Sequence, residues 1–517
     1  MRLVLALGAI CVLASCSRRE APEAQAAADP AVFSILAGSE LKDFAPAMEQ
    51  AARAAGVEVR FIYSGTLDIV ERVASGEKFD AILPPNGAYP TLALATQPVA
   101  REKLFYSHVA LGVKQAKAAE LGWDKKAPAW SDVAKAAGAG KLRYAMTNPT
   151  ASNTGMSALF AVACAVAGKS EDLRAEDVDA AALKAFLSGQ QLTAGSSGWL
   201  ADAFVKESAR LDAMVNYEAV LLQTNAKLAP ADQLSVIYPR DGVISADYPL
   251  MLMTDAKRPQ YDKLVQAFKA VAFQRDALPA AFLRPVNPEA TPAAALPKVV
   301  VSELAFPNRL EVIDAVLSAY QSDWRRPSTS ILVLDVSGSM SGQRLSGMRD
   351  ALLTLGGADL SRASSRYARF QERERVVLIT FSDKVSDPSW VSFDSGRGEA
   401  GRKQVRDFAT ALNTDGGTAV YSALAQAEQV AAAETMRDPD RFVSVLLLTD
   451  GESNAGLSFN RFREQWQDKK PARVFPILFG EGNVDEMKSL ADLTGGRTFD
   501  ARKTALAQVF KEIRGYQ

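Results

Sequence analysis

The sequence predicts two successive α/β domains, the second of which is a doubly wound parallel sheet of the Rossmann-like kind. At 517 residues the chain is too long for a single hydrophobic core. Strand-like apolar runs alternate with helical patterns in both halves, which is typical of parallel strands joined by crossover helices. A Pro- and Ala-rich stretch, NPEATPAAALP at 287–297, separates the halves and indicates a linker.

The N-terminus has the pattern of an exported protein. Arg2 precedes an apolar run that is too short to span a bilayer, which takes a helix of about 20 residues. The run ends in Leu13-Ala14-Ser15-Cys16, which resembles the lipobox of bacterial lipoproteins. This resemblance implies a signal peptide over 1–15, lipidation of Cys16, a tether over 16–30 and retention at the outer membrane. A plain secretory peptide with an incidental cysteine is the alternative.

The first domain is expected over residues 31–286. Strand-like segments alternate there with helical segments that begin at Glu40 and Thr66, and the strand-like segments are VFSILAG (32–38), VEVRFIYSG (57–65) and FDAILPP (79–85). Two later segments, KLRYAMTNP (141–149) and LDAMVNYEAVLLQTN (211–225), indicate a second lobe whose chain returns to the first.

Several stretches of this domain, including YSGT (63–66), FDAILPP and NPTASNTGMSALF (148–160), resemble periplasmic solute-binding proteins of the two-lobed (type 2) class. The resemblance implies a small polar or anionic ligand between the lobes, held by hydroxyls and by N–H groups at helix starts. The candidate ligand-binding residues are Ser39, Ser64, Thr66, Asn148, Ser152, Asn153, Thr154, Tyr217 and Glu218. Helix capping is the alternative for the Ser, Thr and Asn residues, and a favourable helix-start charge is the alternative for Glu218.

A linker and connecting helix are expected over 287–325. The stretch NRLEVIDAVLSAYQSDWRR (308–326) has apolar residues at helical spacing, which gives the helix one buried face. We expect this face to pack on the sheet of the second domain or at the junction of the two domains.

The second domain is expected over 326–517, and its strands are near-continuous apolar runs, as in sheets buried on both faces. These runs are ILVLDV (331–336), RVVLITFSD (375–383), RFVSVLLLTD (441–450) and RVFPILFG (473–480). Helical patterns lie between and after them, namely RLSGMRDALLTL, VYSALAQAEQVAAAE, VDEMKSLADLTG and the terminal TALAQVFKEIRGY.

Two carboxylates and three hydroxyls are predicted to meet at one edge of this sheet. Asp335 and Asp450 each end a buried strand, and ligands of open parallel sheets bind beyond such strand ends. Ser337 and Ser339 follow in the first loop, and Thr418 comes after two glycines, just before a helix. An all-oxygen set of this kind suits a hard divalent cation such as Mg²⁺ and leaves a coordination position open.

The same five residues resemble the metal-ion-dependent adhesion site (MIDAS) of von Willebrand factor type A (VWA) domains, and the resemblance covers roughly 326–517. It implies that Ser337 and Ser339 coordinate Mg²⁺, or Mn²⁺ or Ca²⁺, directly. It also implies that Thr418 coordinates directly or through water, and that Asp335 and Asp450 act mostly through waters and hydrogen bonds. In this family the open position typically accepts a carboxylate from a protein partner, or water when free.

Catalytic readings of these residues are weaker. A nucleophilic serine needs a base, and the one histidine of the chain, His108, lies in the other domain. The stretch AGAGKLR (137–143) lacks the first glycine and the Ser/Thr of a P-loop. An ordinary turn explains D-x-S-x-S alone, but not Thr418 and Asp450 at the same edge. We therefore expect no catalytic residues and a protein that is not an enzyme.

Composition limits the partners. Lys plus Arg (59) and Asp plus Glu (60) nearly cancel, so bulk charge does not support nucleic-acid binding. Of the three cysteines, Cys11 would be removed by cleavage and the Cys16 thiol would be acylated, so Cys164 has no partner for a disulfide. We expect an outer-membrane lipoprotein that binds a protein partner through a metal. The alternative is a solute-capture protein of a transport system, with the second domain as a docking module.

Overall fold

The computed structural model describes residues 32–358, 367–394, 396–467, 469, 472–480, 482–502 and 506–516. The predicted signal peptide, Cys16 and the tether lie outside the described residues. Within the described part of the chain, no helix is long and apolar enough to cross a membrane.

The first domain is built from short strands that alternate with helices. Its strands are β1 Val32–Gly38, β2 Glu58–Ser64, β3 Ala81–Leu83, β4 Ala100–Lys103, β5 Phe105–Lys114, β6 Tyr144–Thr147, β7 Gln190–Ala194, β8 Ala213–Tyr217, β9 Leu234–Ile237, β10 Ser245–Ala246, β11 Pro249–Leu252 and β12 Arg284–Pro285. Its helices are α1 Ala45–Ala54, α2 Thr66–Ala74, α3 Ala88–Ala93, α4 Gln115–Glu120, α5 Trp130–Gly138, α6 Asn153–Ala167, α7 Ala180–Ser188, α8 Ser197–Glu207, α9 Glu218–Asn225, α10 Arg258–Lys269 and α11 Val271–Asp276.

These elements form two lobes. The first lobe has a sheet in the order β2-β1-β3-β11-β4, in which β1 pairs in parallel with both β2 and β3. The second lobe has a sheet in the order β10-β5-β8-β6-β7, and β9 and β12 also pair with β5. The chain passes to the second lobe at β5 and returns through β11, so the predicted return is confirmed.

The start of the first helix differs from the prediction. The sequence pattern placed helix from Glu40 onward, but only Ser39–Leu41 forms a short 3-10 turn and α1 begins at Ala45. Pro46 lies in the first turn of α1, where the missing N–H of proline costs nothing, whereas inside a longer helix it would break the hydrogen bonding. Glu40 therefore lies in the loop that follows β1.

The connecting segment forms a helix, α12 (Leu310–Ala319), which continues as a π-helical turn over Tyr320–Trp324. Its buried face belongs to the hydrophobic core of the first domain, and it packs against α3 of the first lobe and the turn Ala175–Asp177 of the second. Tyr367, from the second domain, donates a hydrogen bond to Asp314 of α12 over 3.2 Å. The helix thus lies at the junction, one of the two predicted places.

The second domain is a six-stranded sheet in the order β15-β14-β13-β16-β17-β18. The strands are β13 Ser328–Asp335, β14 Glu374–Phe381, β15 Ser389–Ser392, β16 Phe442–Thr449, β17 Arg473–Leu478 and β18 Phe499–Asp500. The helices are α13 Gln343–Leu355, α14 Gly398–Ala411, α15 Val420–Arg437, α16 Phe459–Trp466, α17 Val484–Thr494 and α18 Leu506–Arg514. The four predicted strands are confirmed as a parallel sheet, but β15 adds an antiparallel edge that the sequence pattern did not indicate.

Helices cover both faces of this sheet, which is why β13 is buried along its whole length. Leu332 and Leu334 point toward α13, α14 and α18, and Ile331 and Val333 point toward α15 and α16. The doubly wound arrangement is therefore confirmed. It brings the carboxyl ends of β13 and β16 side by side.

Candidate functional site

The candidate metal centre lies at the carboxyl edge of the second domain's sheet. Asp335 is the last residue of β13 and is fully buried, and Asp450 directly follows β16. The two strands pair in parallel from Ser328 to Leu334, so they end at the same level. Each carboxylate is thus delivered to this edge by a strand whose apolar residues fix its register.

Three of the five predicted ligands form a continuous chain of hydrogen bonds. The Oγ atoms of Ser337 and Ser339 are 3.0 Å apart, and Ser339 Oγ donates to Asp450 Oδ1 over 2.8 Å. Asp335 accepts from the Ser337 N–H over 2.8 Å and from Thr449 Oγ1 over 2.7 Å. The backbone and Thr449 therefore hold the Asp335 carboxylate in place beneath the serines.

Thr418 reaches this edge on a loop that is bonded to the serine loop. The N–H of Gly338 donates to the carbonyl of Gly416 over 3.1 Å, and Gly416 has a φ of +74°, a conformation that favours glycine. The N–H of Thr418 donates to Asn454 Oδ1 over 2.8 Å, and the N–H of Asn454 donates back to the Thr418 carbonyl over 2.9 Å. Asn454 thus joins the loop after Asp450 to the loop of Thr418, which the sequence did not indicate.

Arg344 is a second neighbour that sequence reasoning missed. It lies in the first turn of α13, and its guanidinium forms an ion pair with Asp450 Oδ2. The same Nη1 atom donates to the carbonyl of Ser339 over 3.2 Å. A positive charge therefore lies against one of the two carboxylates of the centre.

The electrostatics of the candidate metal centre are set by two buried carboxylates, those of Asp335 and Asp450. Burial raises the pKa of the Asp335 carboxyl, and the negative charge of Asp450 raises it further. Hydrogen bonds from Ser337 and Thr449 act in the opposite direction without reversing the rise. Buried negative charge at such an edge favours a cation nearby, and Arg344 already offsets part of it at Asp450.

The donor chemistry fits a hard divalent cation. Two carboxylates and three hydroxyls are oxygen ligands of the kind that Mg²⁺ takes, together with water. In the described residues no group of three or more His, Cys, Asp or Glu side chains is placed to hold a metal ion, so a cation here depends on the hydroxyls. Ser337 and Thr418 are buried, and Ser339 is exposed, which leaves one side of the set open to a partner.

The second-lobe residues predicted for the solute cleft lie together but bond mostly to one another. Thr154 Oγ1 lies within hydrogen-bond distance of the Thr147, Ser152 and Ser197 hydroxyls, at 2.8, 3.1 and 2.9 Å. Asn153 Nδ2 donates to Tyr217 Oη over 3.1 Å. These bonds satisfy the hydroxyls within the protein, although Ser152, at the N-cap of α6, makes no side-chain capping bond.

The remaining candidates have different surroundings. Ser39 is exposed, Ser64 is half-buried, and Thr66 is buried with a hydroxyl that has no hydrogen-bond partner among the described atoms. Glu218 is fully buried in an ion pair with Arg284, at 2.7 Å from Nε, and also accepts the N–H of His108 over 3.1 Å. Its carboxylate is therefore bonded to protein groups in the interior of the second lobe.

Glu40 is a further candidate in the first lobe, which the sequence pattern did not indicate. Burial raises the pKa of its carboxyl to about 7, and its Oε1 atom has no hydrogen-bond partner among the described residues. Burial also raises the pKa of Tyr217 and Tyr248, and the negative charge of Glu40 raises both further. Glu40, a half-buried residue of the first lobe whose Oε1 atom is buried, thus lies near a phenol at the end of β8, in the second lobe.

Comparison with known proteins gives two matches to family models. Residues 35–277 match the model described as bacterial extracellular solute-binding protein. Residues 330–452 match the von Willebrand factor type A domain, a range that contains all five candidate metal ligands. The chain is thus a two-domain α/β protein of the binding class. It combines a bacterial solute-binding domain with a VWA domain.

Two curated relatives match a quarter of this chain. One is an uncharacterized protein of Mycobacterium tuberculosis, 33% identical over 132 residues, which are 26% of this chain and 19% of that protein. The other is the human inter-alpha-trypsin inhibitor heavy chain H3, 29% identical over 135 residues, which are 26% of this chain and 14% of that protein. The chain therefore spans less than a fifth of the length of these relatives.

Solved structures resemble each domain at low sequence identity. A ferric binding protein from Campylobacter jejuni is 12% identical with a TM-score of 0.45, over 56% of this chain and 96% of that one. A von Willebrand factor type A protein from Catenulispora acidiphila is 19% identical with a TM-score of 0.29, over 37% of this chain and 42% of that one. The family match to extracellular solute-binding proteins supports a location in the cell envelope or periplasm, and domains of these two kinds are typically non-catalytic.

Proposed function

We propose that the protein binds a protein partner at the cell envelope through a divalent cation held by Asp335, Ser337, Ser339, Thr418 and Asp450. The observation that carries the proposal is the hydrogen-bonded chain from Ser337 through Ser339 to Asp450, beside the buried Asp335. Hydroxyls that lie 3.0 Å apart and contact a carboxylate form a ready set of oxygen donors. The cation is Mg²⁺, with Mn²⁺ or Ca²⁺ as substitutes.

Each of the five candidate ligands would have its own role at the cation. Ser337 and Ser339 would hold the cation directly, Thr418 directly or through water, and the two aspartates would orient waters and hydroxyls. When bound, the cation would supply a positive coordination position that accepts a carboxylate from the partner. Asp335 stays fixed by Thr449 and by its own loop, so the site keeps its shape before the partner arrives.

Two further parts of the proposal concern the N-terminus and catalysis. The lipobox-like ending at Cys16 supports anchoring to the outer membrane by acyl chains, which would hold the binding face at the envelope. The protein would not act as an enzyme, because the serines of the site have no histidine in their own domain to activate them. We propose no nucleic-acid partner.

The first test is a calorimetric Mg²⁺ titration of the wild type and of Asp335→Ala. Loss of this buried carboxylate removes the residue that orients Ser337, so we expect at least a tenfold loss of affinity, which corresponds to about 1.4 kcal/mol. Asp407→Ala is the matched control, because Asp407 is exposed on α14 and forms an ion pair with Lys403. Equal Mg²⁺ affinity in wild type and Asp335→Ala would refute the site.

The second step is partner capture from an envelope extract with Mg²⁺ and with a chelator. Binding that requires Mg²⁺ and is lost in Asp335→Ala supports a partner at the cation. Capture that persists unchanged in the chelator contradicts the metal-dependent contact.

Solute capture between the lobes is the second candidate function, and Glu40 is the observation that favours it. A buried carboxylate with an unpartnered oxygen, near Tyr217 and Tyr248, offers a site to a small polar solute with hydrogen-bond donors or positive charge. This chemistry differs from the anionic ligand that the sequence resemblance also allowed. In this function the VWA domain would serve as a docking module for a transport system.

A thermal-shift screen of the whole chain, with small polar cations and oxyanions, separates the two functions. A solute that binds the Glu40 carboxylate should stabilise more at pH 8 than at pH 6, because the pKa of about 7 makes the carboxylate ionise between these values. The shift should be lost in Glu40→Gln. A shift produced by oxyanions alone, unchanged in Glu40→Gln, would contradict the role of Glu40.

A further inference from the structure

The end of the chain crosses from the VWA domain into the solute-binding domain. We call residues 506–516 the C-terminal segment, and we call the rim the second-lobe loop 148–152 together with residues 195–199, which include the first residues of α8. Ile513, Arg514, Gly515 and Tyr516 are buried. We infer that the rim is a polypeptide-docking site whose occupant is the chain's own C-terminal segment, and that this docking stabilises loop 148–152, which the first lobe also contacts.

A buried amide of the rim binds the backbone of the C-terminal segment. Asn148 is 1% exposed, and its Nδ2 donates to the carbonyl of Arg514 over 3.3 Å. Carbonyls in the last turn of a helix have no partner within the helix, so an external donor there stabilises the helix end. Asn148, a candidate solute ligand, thus also contacts polypeptide.

Two glycines allow the backbones to approach closely. A Cβ atom on Gly515 would lie 2.7 Å from the Cα of Gly195 and 2.9 Å from the Cβ of Ala151. A Cβ atom on Gly195 would lie 2.8 Å from Cε2 of Tyr516. Neither glycine has a positive φ, so it is the lack of space that requires glycine at both positions.

The ring of Tyr516 joins the two domains. It packs edge-on against Trp199 of the rim, with centroids 4.6 Å apart and planes at 83°. On the VWA side it lies 5.8 Å from the ring of Phe475 and 5.6 Å from that of Phe499. Edge-to-face packing at such distances is directional, so the contact fixes the orientation of the segment on the rim.

The C-terminal segment is also bound to the VWA domain. The guanidinium of Arg514 points into the VWA domain, where it pairs with the buried Glu374 and donates to the Ala368 carbonyl over 3.1 Å. The backbone of the same residue accepts from Asn148. A single residue therefore connects the VWA core to the rim.

The first lobe and the connecting segment contact the same rim loop. A Cβ atom on Gly65, at the start of α2, would lie 2.7 Å from the carbonyl oxygen of Ala151. Gln321, in the π-helical turn, donates to Thr150 Oγ1 over 2.6 Å. Loop 148–152 is thus contacted by three parts of the chain, namely the C-terminal segment, the first lobe and the connecting segment.

Hydrogen exchange of the full-length chain, followed by mass spectrometry, tests this inference. Gly195→Ala places a methyl group against Tyr516 and leaves the C-terminal segment itself intact. We expect exchange in peptides covering 506–516 and 148–152 to become about tenfold faster, as overpacking of a close contact lowers its local stability. Gly198→Ala is the matched control, since a Cβ there meets no atom within 4 Å.

The exchange rates of the two variants decide whether the C-terminal segment docks on the rim. Faster exchange in both peptides of Gly195→Ala, with Gly198→Ala like the wild type and Mg²⁺ affinity unchanged, supports docking within a folded protein. Unchanged exchange in Gly195→Ala overturns it. A concentration-dependent dimer by light scattering also overturns it, because the occupant would then be a second copy. If Gly195→Ala does not fold, Asn148→Asp replaces it under the same criteria, because it removes the Nδ2 donor to Arg514 but keeps the Oδ1 acceptor for Thr150 and adds no volume.

Discussion

Arg344 places a positive charge against the candidate metal ligands. Its guanidinium pairs with Asp450 Oδ2, an oxygen on the carboxylate to which Ser339 also donates. The Arg344 side chain is 39% exposed, so its attraction to Asp450 is partly screened by solvent. Arginine therefore neutralises one carboxylate without the coordination geometry that a divalent cation gives. We expect the two cations to compete for Asp450.

This competition predicts that Arg344→Ala binds Mg²⁺ more tightly, by about threefold to tenfold, because one carboxylate is released and one nearby positive charge is removed. Arg344→Lys, which keeps the charge, should stay close to the wild type. Calorimetric titration at two salt concentrations measures both variants, and the difference should shrink at the higher one. Weaker Mg²⁺ binding in Arg344→Ala would instead make Arg344 a positioning residue for Asp450.

At the scale of elements, burial explains which parts of the fold could be predicted. β13 and β16 are buried over nearly their whole length, so their apolar runs stood out from the flanking loops. β15 has four residues at the sheet edge, and α14 is mostly polar with few buried positions, so neither gave a clear pattern. Because Asp335 and Asp450 lie at the ends of these two strands, predicting the strands also predicted the position of the candidate metal site.

Other features depend on contacts that no local pattern encodes. Glu40 was assigned to a helix because its apolar neighbours have helical spacing, whereas Pro46 sets the start of α1 five residues later, at Ala45. Arg344 reaches the site only because α13 starts beside Asp450. The pairing of Trp199 with Tyr516 joins two domains and has no signal in either segment alone.

At the scale of the whole molecule, the two domains share one continuous hydrophobic cluster. It contains Leu192 and Leu200 of the solute-binding domain together with Leu332 and Phe510 of the VWA domain. Ion pairs reinforce this junction, since Arg473 Nη2 lies 2.5 Å from Glu207 and Lys206 Nζ lies 3.1 Å from Asp492. A junction with a shared core differs from the polar, separable contact that is usual between domains.

The shared core predicts that both domains unfold in one cooperative transition, although chains of this size commonly unfold domain by domain. Mg²⁺ should then raise the temperature of the whole transition, because at a concentration of about 100 times Kd it stabilises the native state by about 2.7 kcal/mol. Differential scanning calorimetry with Mg²⁺ and with a chelator measures this, and Asp335→Ala should keep the single transition but lose the Mg²⁺ shift. Two transitions in the wild type, only one of them sensitive to Mg²⁺, would show that the domains are energetically independent.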